Sequence, residues 1–363
     1  MQLNWSASWS IYTRVCLIFF THHKNFKMIE GEINNFIMVW SVATILFCYS
    51  YTIGKLIPKG KVRFVTLIPP IIILLLLPMK LTTIHLIGPS SFLLSWLSTF
   101  KLFLFAFSKG PLSSNPPLSL HHFLLIASFP IKLANHANQN QIKVAPIDFP
   151  SKLVIIFLLS YFCIHLYDKK ENFHPINLMI LYTLHLYAGL EIFLALINSI
   201  SSKLLQVELE QPFNKPYLST SVQDFWGRRW NIMVTRILHP TVYEPMVKAC
   251  SHFIGRKWAP LPAVVATFTV SGLMHELIFY HIKHVKKDTG EAWEPCWDSM
   301  CFFFIHGVCL ALQIAYKKVF EPKRELLPKF VSCTLTMAFV VSTGICLFVP
   351  ALVRCGVFEK ART

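Results

Sequence analysis

Apolar residues along this chain do not alternate with polar ones at a period of 2 or 3.6. They gather into runs near 33–53, 62–78, 84–107, 118–134, 152–167, 176–200, 261–282, 297–316 and 330–352. Each run approaches the roughly 17–25 residues a helix needs to cross about 30 Å of hydrocarbon. The pattern predicts an all-α polytopic membrane protein with eight or nine transmembrane helices. The run at 118–134 is the weakest, because His121, His122 and Lys132 flank a short apolar core and Pro130 would kink it or end it early. Pro69-Pro70 and Pro89 predict kinks in the second and third spans, which membrane helices tolerate where other groups satisfy the freed carbonyls. Polar stretches from Gly110 to Pro117 and from Asn135 to Pro150 separate the early spans, and no internal repeat is visible.

Composition agrees with this pattern. Of 363 residues 54% are hydrophobic and only 14% are charged, against about 25% charged in an ordinary soluble domain. A soluble globule, a disordered chain and a nucleic-acid binder are all poor fits. Lys plus Arg number 34 against 18 Asp plus Glu, an excess expected of cytoplasmic loops facing anionic lipid, which would also draw an anionic substrate to a basic loop. The ten cysteines are scattered, with no Cys-x-x-Cys, and read as small hydrophobes.

Four regions follow. Residues 1–27 are an extension in which Arg14 interrupts an apolar stretch and a His22-His23-Lys24 cluster follows it, the wrong order for a signal peptide; Met28 would serve as an alternative start. Residues 28–200 hold the N-terminal transmembrane helices, 201–260 form a long motif loop, and 261–363 hold the C-terminal transmembrane helices. The loop is dense in Trp, Arg, Tyr and Phe, which points to an interfacial or re-entrant segment packed on protein. With nine spans the loop falls on the side richer in Lys and Arg, hence cytosolic.

Two constellations carry candidate chemistry. His275 lies near the middle of the span 261–282, where an ionisable group is costly unless it is paired or faces water and so marks a functional site. On a helix Ser271 and Gly272 share its face, whereas Glu276 is offset by about 100°. The bland alternative is a histidine bonded to a neighbouring helix. A zinc protease motif fails because Phe279 stands where the second histidine must be, and His281 and His284 lie among lysines, where a solvated basic turn is expected. No metal site is expected.

The second constellation is Pro216-Tyr217-Leu218-Ser219-Thr220-Ser221 followed by Gln223-Asp224-Phe225-Trp226-Gly227-Arg228-Arg229-Trp230-Asn231. Ser221 with Asp224 three residues on signals a helix start. A helix there would pair Asp224 with Arg228 and set Trp226 and Trp230 on one side, beside Asn231. An amphipathic helix resting its Trp and Arg among lipid headgroups fits the same residues.

At these residues the sequence resembles the plant wax synthases, long-chain-alcohol O-fatty-acyltransferases of the membrane-bound O-acyltransferase superfamily. The matching stretches are the two just quoted, then Pro240-Thr241-Val242-Tyr243, Ser271-Gly272-Leu273-Met274-His275-Glu276 and His306-Gly307-Val308-Cys309, with Glu30-Gly31-Glu32-Ile33, Phe105-Ala106-Phe107 and Gly110-Pro111-Leu112 earlier. The resemblance implies acyl transfer from a fatty acyl-coenzyme A to a lipid alcohol at the endoplasmic reticulum membrane, with acyl-coenzyme A as co-substrate and no cofactor. It implies His275 as catalytic base and Asn231 as its companion. One departure concerns Asn231: much of the superfamily has Trp-Trp before it, where this chain has Arg229-Trp230.

An alcohol attacks a thioester slowly unless a base takes its proton, a contribution of about 10²–10⁴-fold. Asn231 could orient the ring or donate to the oxyanion, and Arg228, Arg229, Lys215 and Arg236 could hold the coenzyme A phosphates. Trp226, Arg228, Arg229 and Trp230 are therefore the expected substrate-binding residues. Ser271 is the only rival as a nucleophile. The acceptor is a fatty alcohol or, in the same fold, a sterol or other lipid alcohol. A proton-coupled transporter would use His275 as a relay, but it calls for more intramembrane carboxylates than Glu191 and Glu276 and for repeated halves.

Overall fold

The computed structural model describes residues 26–131, 174–206, 209–284, 297–320 and 327–357, with isolated positions between them. Among the described residues the chain is helical and no β-strand forms. In chain order the helices are α1 (Phe26–Leu56), α2 (Lys61–Lys80, its last four residues a 3₁₀ turn), α3 (Ile84–Ala106), α4 (Leu120–Ser128), α5 (Pro175–Leu205), α6 (Ile232–Leu238), α7 (Glu244–Trp258), α8 (Pro260–His284), α9 (Trp297–Phe320) and α10 (Lys329–Arg354). Seven of these, α1, α2, α3, α5, α8, α9 and α10, are long and apolar enough to cross a membrane, and their ends fall within a few residues of the predicted spans. The chain is a multi-pass membrane protein. The predicted span 152–167 and the extension before Phe26 lie outside the described residues.

The fourth apolar run does not span. It forms only the nine residues of α4, about 14 Å of helix, and ends at Phe129 just before Pro130. Its last carbonyls are taken up by α3: Lys101 Nζ donates to Ile126 O at 2.7 Å and to Phe129 O at 2.6 Å, and Ser98 Oγ donates to Ala127 O at 2.8 Å. A lysine inside an apolar run is thus explained, because its charge stands in for the amide that Pro130 lacks.

Helix α3 is the central element. Its most apolar 18-residue window is 78% buried, against 17 to 39% in the other six spans. It carries a π-helical segment, Ser91–Ser98, between two α-helical ends. The small hydroxyls of this segment bond nearby carbonyls, Ser95 Oγ reaching Leu74 O and Leu75 O of α2 at 3.1 Å. Helix α2 continues through Pro69 and Pro70, and Tyr49 Oη donates at 3.3 Å to Thr66 O, the carbonyl that Pro70 leaves without an amide. Glu32 of α1 binds the start of α3 through Thr82 N and Thr83 N, both at 2.7 Å, where a carboxylate complements the unpaired amides of a helix N-terminus.

Helices α8 and α9 lie against each other along their length, at a distance set by glycine. A Cβ on Gly307 would meet Phe268 Cβ at 2.9 Å and Val265 Cα at 3.4 Å. Small residues at such a crossing let membrane helices approach closely.

Candidate active site

The motif loop is not an amphipathic helix lying among headgroups. Ser221 does cap a helix, accepting from Asp224 N at 3.0 Å, but the helix covers only Val222–Asp224. It then widens into a π-turn over Phe225–Arg229, closed by Trp230 N donating to Phe225 O at 2.8 Å. Asp224, 4% exposed, causes this. Its carboxylate accepts from Arg228 Nε at 2.9 Å, the pairing expected, and also from Arg229 Nε at 2.7 Å, which a straight helix would turn away. Arg229 further reaches Asn214 O at 3.3 Å, and Asn214 N bonds Arg229 O at 2.9 Å. The loop is stapled to its own beginning. Burial works against the Asp224 charge, but Arg229, the Thr220 amide and Arg228 together hold its carboxyl below the usual carboxylate range.

The π-turn sends the two tryptophans different ways. Trp230 stacks on Phe225 (5.3 Å between ring centroids) and on Tyr187 of α5 (5.8 Å). Trp226 points toward α8 and α9, edge-on to Phe268 at 5.4 Å, with its Nε1–H on His306 Nδ1 at 2.9 Å. The two rings are 6.3 Å apart and nearly perpendicular. Asn231 follows with φ +37°, a conformation Asn tolerates better than most residues. It caps α6, whose Val234, Ile237 and Leu238 pack with Met274, the neighbour of His275, and with Trp96. Asn231 Oδ1 is buried and has no hydrogen-bond partner among the described residues.

His275 sits in α8 with Nδ1 2.7 Å from Ser271 O. A carbonyl only accepts, so Nδ1 carries the hydrogen and Nε2 is the acceptor of the neutral ring. Three aromatic rings wall it: Phe303 of α9 stacks at 4.3 Å, Trp96 of α3 stands edge-on at 5.0 Å, and Phe348 of α10 at 5.6 Å. Trp96 lies on the π-helical segment of α3, a backbone form frequent at functional sites. The residue as a whole is half-buried. Ser271 contributes its carbonyl, so its hydroxyl is not what engages the ring.

Trp96, Phe303 and Phe348 were not foreseeable from spacing, since each comes from a different helix. His306 could have been found by the argument that singled out His275, as it too is an ionisable group in the middle of a span. The solvated turn expected around His281 is a misreading: the side chain is fully buried, with Nδ1 2.9 Å from Ser91 Oγ. Among the described residues no cluster of three His, Cys, Asp or Glu could hold a metal ion. Beside the loop opens a cleft of about 550 Å³ lined in part by Asn214, Arg228, Arg229, Lys329 and Phe330. The side chain of Arg228 is 76% exposed there.

Fold and site together define a multi-pass membrane protein with a half-buried histidine backed by an ordered tryptophan-rich loop. The sequence profile of the membrane bound O-acyl transferase family matches residues 209–305, a stretch holding both the loop and His275. The chain is 40% identical to acyl-CoA–sterol O-acyltransferase 1 of Arabidopsis thaliana, over 90% of this chain and 93% of that protein. It is 38% identical to the long-chain-alcohol O-fatty-acyltransferase of Simmondsia chinensis, over 92% of this chain and 93% of that one. A probable long-chain-alcohol O-fatty-acyltransferase 2 of Arabidopsis thaliana is also 38% identical, with 91% and 94% covered. This chain belongs to the membrane bound O-acyl transferase family.

Proposed function

We propose that the protein is an enzyme that forms wax esters, transferring a fatty acyl group from acyl-coenzyme A to a long-chain alcohol with His275 as general base. The observation that carries this is the Nδ1–H bond from His275 to Ser271 O, which directs the lone pair of Nε2 away from the helix. In the reaction Nε2 takes the hydroxyl proton as the alcohol oxygen attacks the thioester carbon, the C–S bond breaks, and the imidazolium returns the proton to the leaving thiolate. The enzyme forms no covalent intermediate and uses no cofactor. Asn231 positions or stabilises the reacting groups from the start of α6. Trp226, 6.2 Å from the Phe303 ring that stacks on His275, and Trp230 are the aromatic residues that contact substrate in this reading. Arg228, with Lys329 across the cleft, contacts the coenzyme A phosphates, while Arg229, committed to Asp224 and Asn214, acts mainly by holding the loop.

A second acceptor class, sterols, is favoured by the identity to the sterol acyltransferase. In this reading the site of action is the endoplasmic reticulum membrane, as the family resemblance implies. Expression in a yeast lacking its own neutral-lipid acyltransferases, fed fatty alcohol or sterol, tests the reading. Wax esters should accumulate, and His275→Ala should lower their formation by about 10²–10⁴-fold without loss of membrane insertion. Sterol esters alone would move the acceptor to the second class, and full activity of His275→Ala would remove the ring from the base role.

A further inference from the structure

A second intramembrane imidazole, His306 of α9, takes no part in the chemistry above. It is fully buried, and both of its nitrogens are engaged. Nδ1 accepts from Trp226 Nε1–H at 2.9 Å; indole only donates, so the ring proton is on Nε2. That nitrogen donates to Thr343 Oγ1 at 2.9 Å, whose hydroxyl in turn donates to Phe339 O at 2.7 Å. No lone pair is left for a substrate. What His306 joins is more telling. Trp226 belongs to the motif loop and lies 6.2 Å from Phe303, which stacks on His275. Thr343 directly precedes the π-turn Gly344–Phe348, whose last residue also touches the His275 ring.

We propose that His306 is a positioning residue: its two hydrogen bonds fix Trp226 on one side and the Phe348 turn on the other, and so set the walls around His275. This rests on the acyl-transfer reading. The test uses the purified full chain and the variants His306→Ala, His306→Asn, His306→Gln and Trp226→Phe. Asn places an amide oxygen near the Nδ1 position and keeps the Trp226 bond; Gln places an N–H near the Nε2 position and keeps the Thr343 bond. His306→Ala should lower kcat about 10–100-fold, the scale of a sub-ångström to 1 Å misplacement, with KM for the acyl donor changed less than about 2-fold. Asn and Gln should each restore part of kcat. Trp226→Phe should lower the melting temperature further in the Asn background and change it little in the Gln background, where its bond is already lost.

An unchanged kcat in His306→Ala, a loss carried by KM, or equal effects of Trp226→Phe in both backgrounds would each overturn the proposal. Should His306→Ala fail to fold, the Asn and Gln pair decides. If the unmodified protein forms no ester, the acyl-transfer reading fails, while the melting shifts still report whether the two bonds are coupled as described.

Discussion

The crossing of α8 and α9 gives a quantitative test of how the site is held. Replacing Gly307 by Ala puts a methyl 2.9 Å from Phe268 Cβ and 3.2 Å from Phe268 Cγ, where carbon atoms prefer about 3.5–4.0 Å. Those atoms lie next to the backbone, so the helices must part by several tenths of an ångström or Phe268 must turn and leave Trp226. Overpacking of this kind costs about 1–3 kcal/mol. At roughly 2–4 °C per kcal/mol, melting should fall by about 2–12 °C. His275 lies two turns beyond Phe268 on the same helix, so ester formation should fall roughly 3–10-fold, a fraction of the about 100-fold that a 1 Å misplacement produces. Gly272, on the same interface, is the control. Its added methyl would meet Met300 Sδ at 2.8 Å, but that is the end of a flexible thioether that can swing aside, and the next contacts, at 3.4 and 3.6 Å, are ordinary. Gly272→Ala should therefore melt within about 3 °C of the parent. Thermal melts and ester formation measured on the same detergent preparations decide. A Gly272→Ala variant more damaged than Gly307→Ala, or a silent Gly307→Ala, would refute the reasoning.

Two further outcomes are expected. Lys101→Met should leave the carbonyl of Ile126 buried and unpaired, at about 1–3 kcal/mol, while Phe129 O keeps the Ile131 amide at 2.8 Å, the loss being partly offset by no longer burying an ammonium; a lowered melting temperature is expected, and a raised one would show that the charge costs more than its bonds supply. The Asp224 carboxyl, held below its usual range in the folded protein, contributes stability that is present above the unfolded value near pH 4 and is lost as pH falls through the lower folded value. Melting of the parent should drop in that acid window, whereas Asp224→Asn should melt lower at neutral pH and lack this part of the pH dependence; identical pH profiles would refute the assignment.

Span positions were legible because one property, hydropathy summed over about 20 residues, decides them. The short α4 shows the limit: the same sum cannot register that Pro130 stops a helix whose end Lys101 then caps from another span. At the site, His275 stands out by type and position, and Asn231 only through the family resemblance. The shape of the loop between them does not, because Arg229 competes with Arg228 for Asp224 and rewinds the turn. His281 was misjudged among its lysines because Ser91, its partner, is 190 residues away in the chain. The aromatic enclosure of His275 likewise comes from three helices whose register only packing reveals.

Helix α3 has the lowest hydropathy of the seven spans, 1.2 against 1.4 to 2.2, and it carries Lys101 and a row of hydroxyls. Alone in a bilayer it would be a poor guest, since lipid offers those groups nothing to bond. Its partners in α1 and α2, Glu32 and the Leu74 and Leu75 carbonyls, are synthesised before it. The first two helices can therefore receive the start and middle of α3 as it arrives, whereas Lys101 and Ser98 find their partners only in the later α4, so the packing of α3 is completed from both directions along the chain.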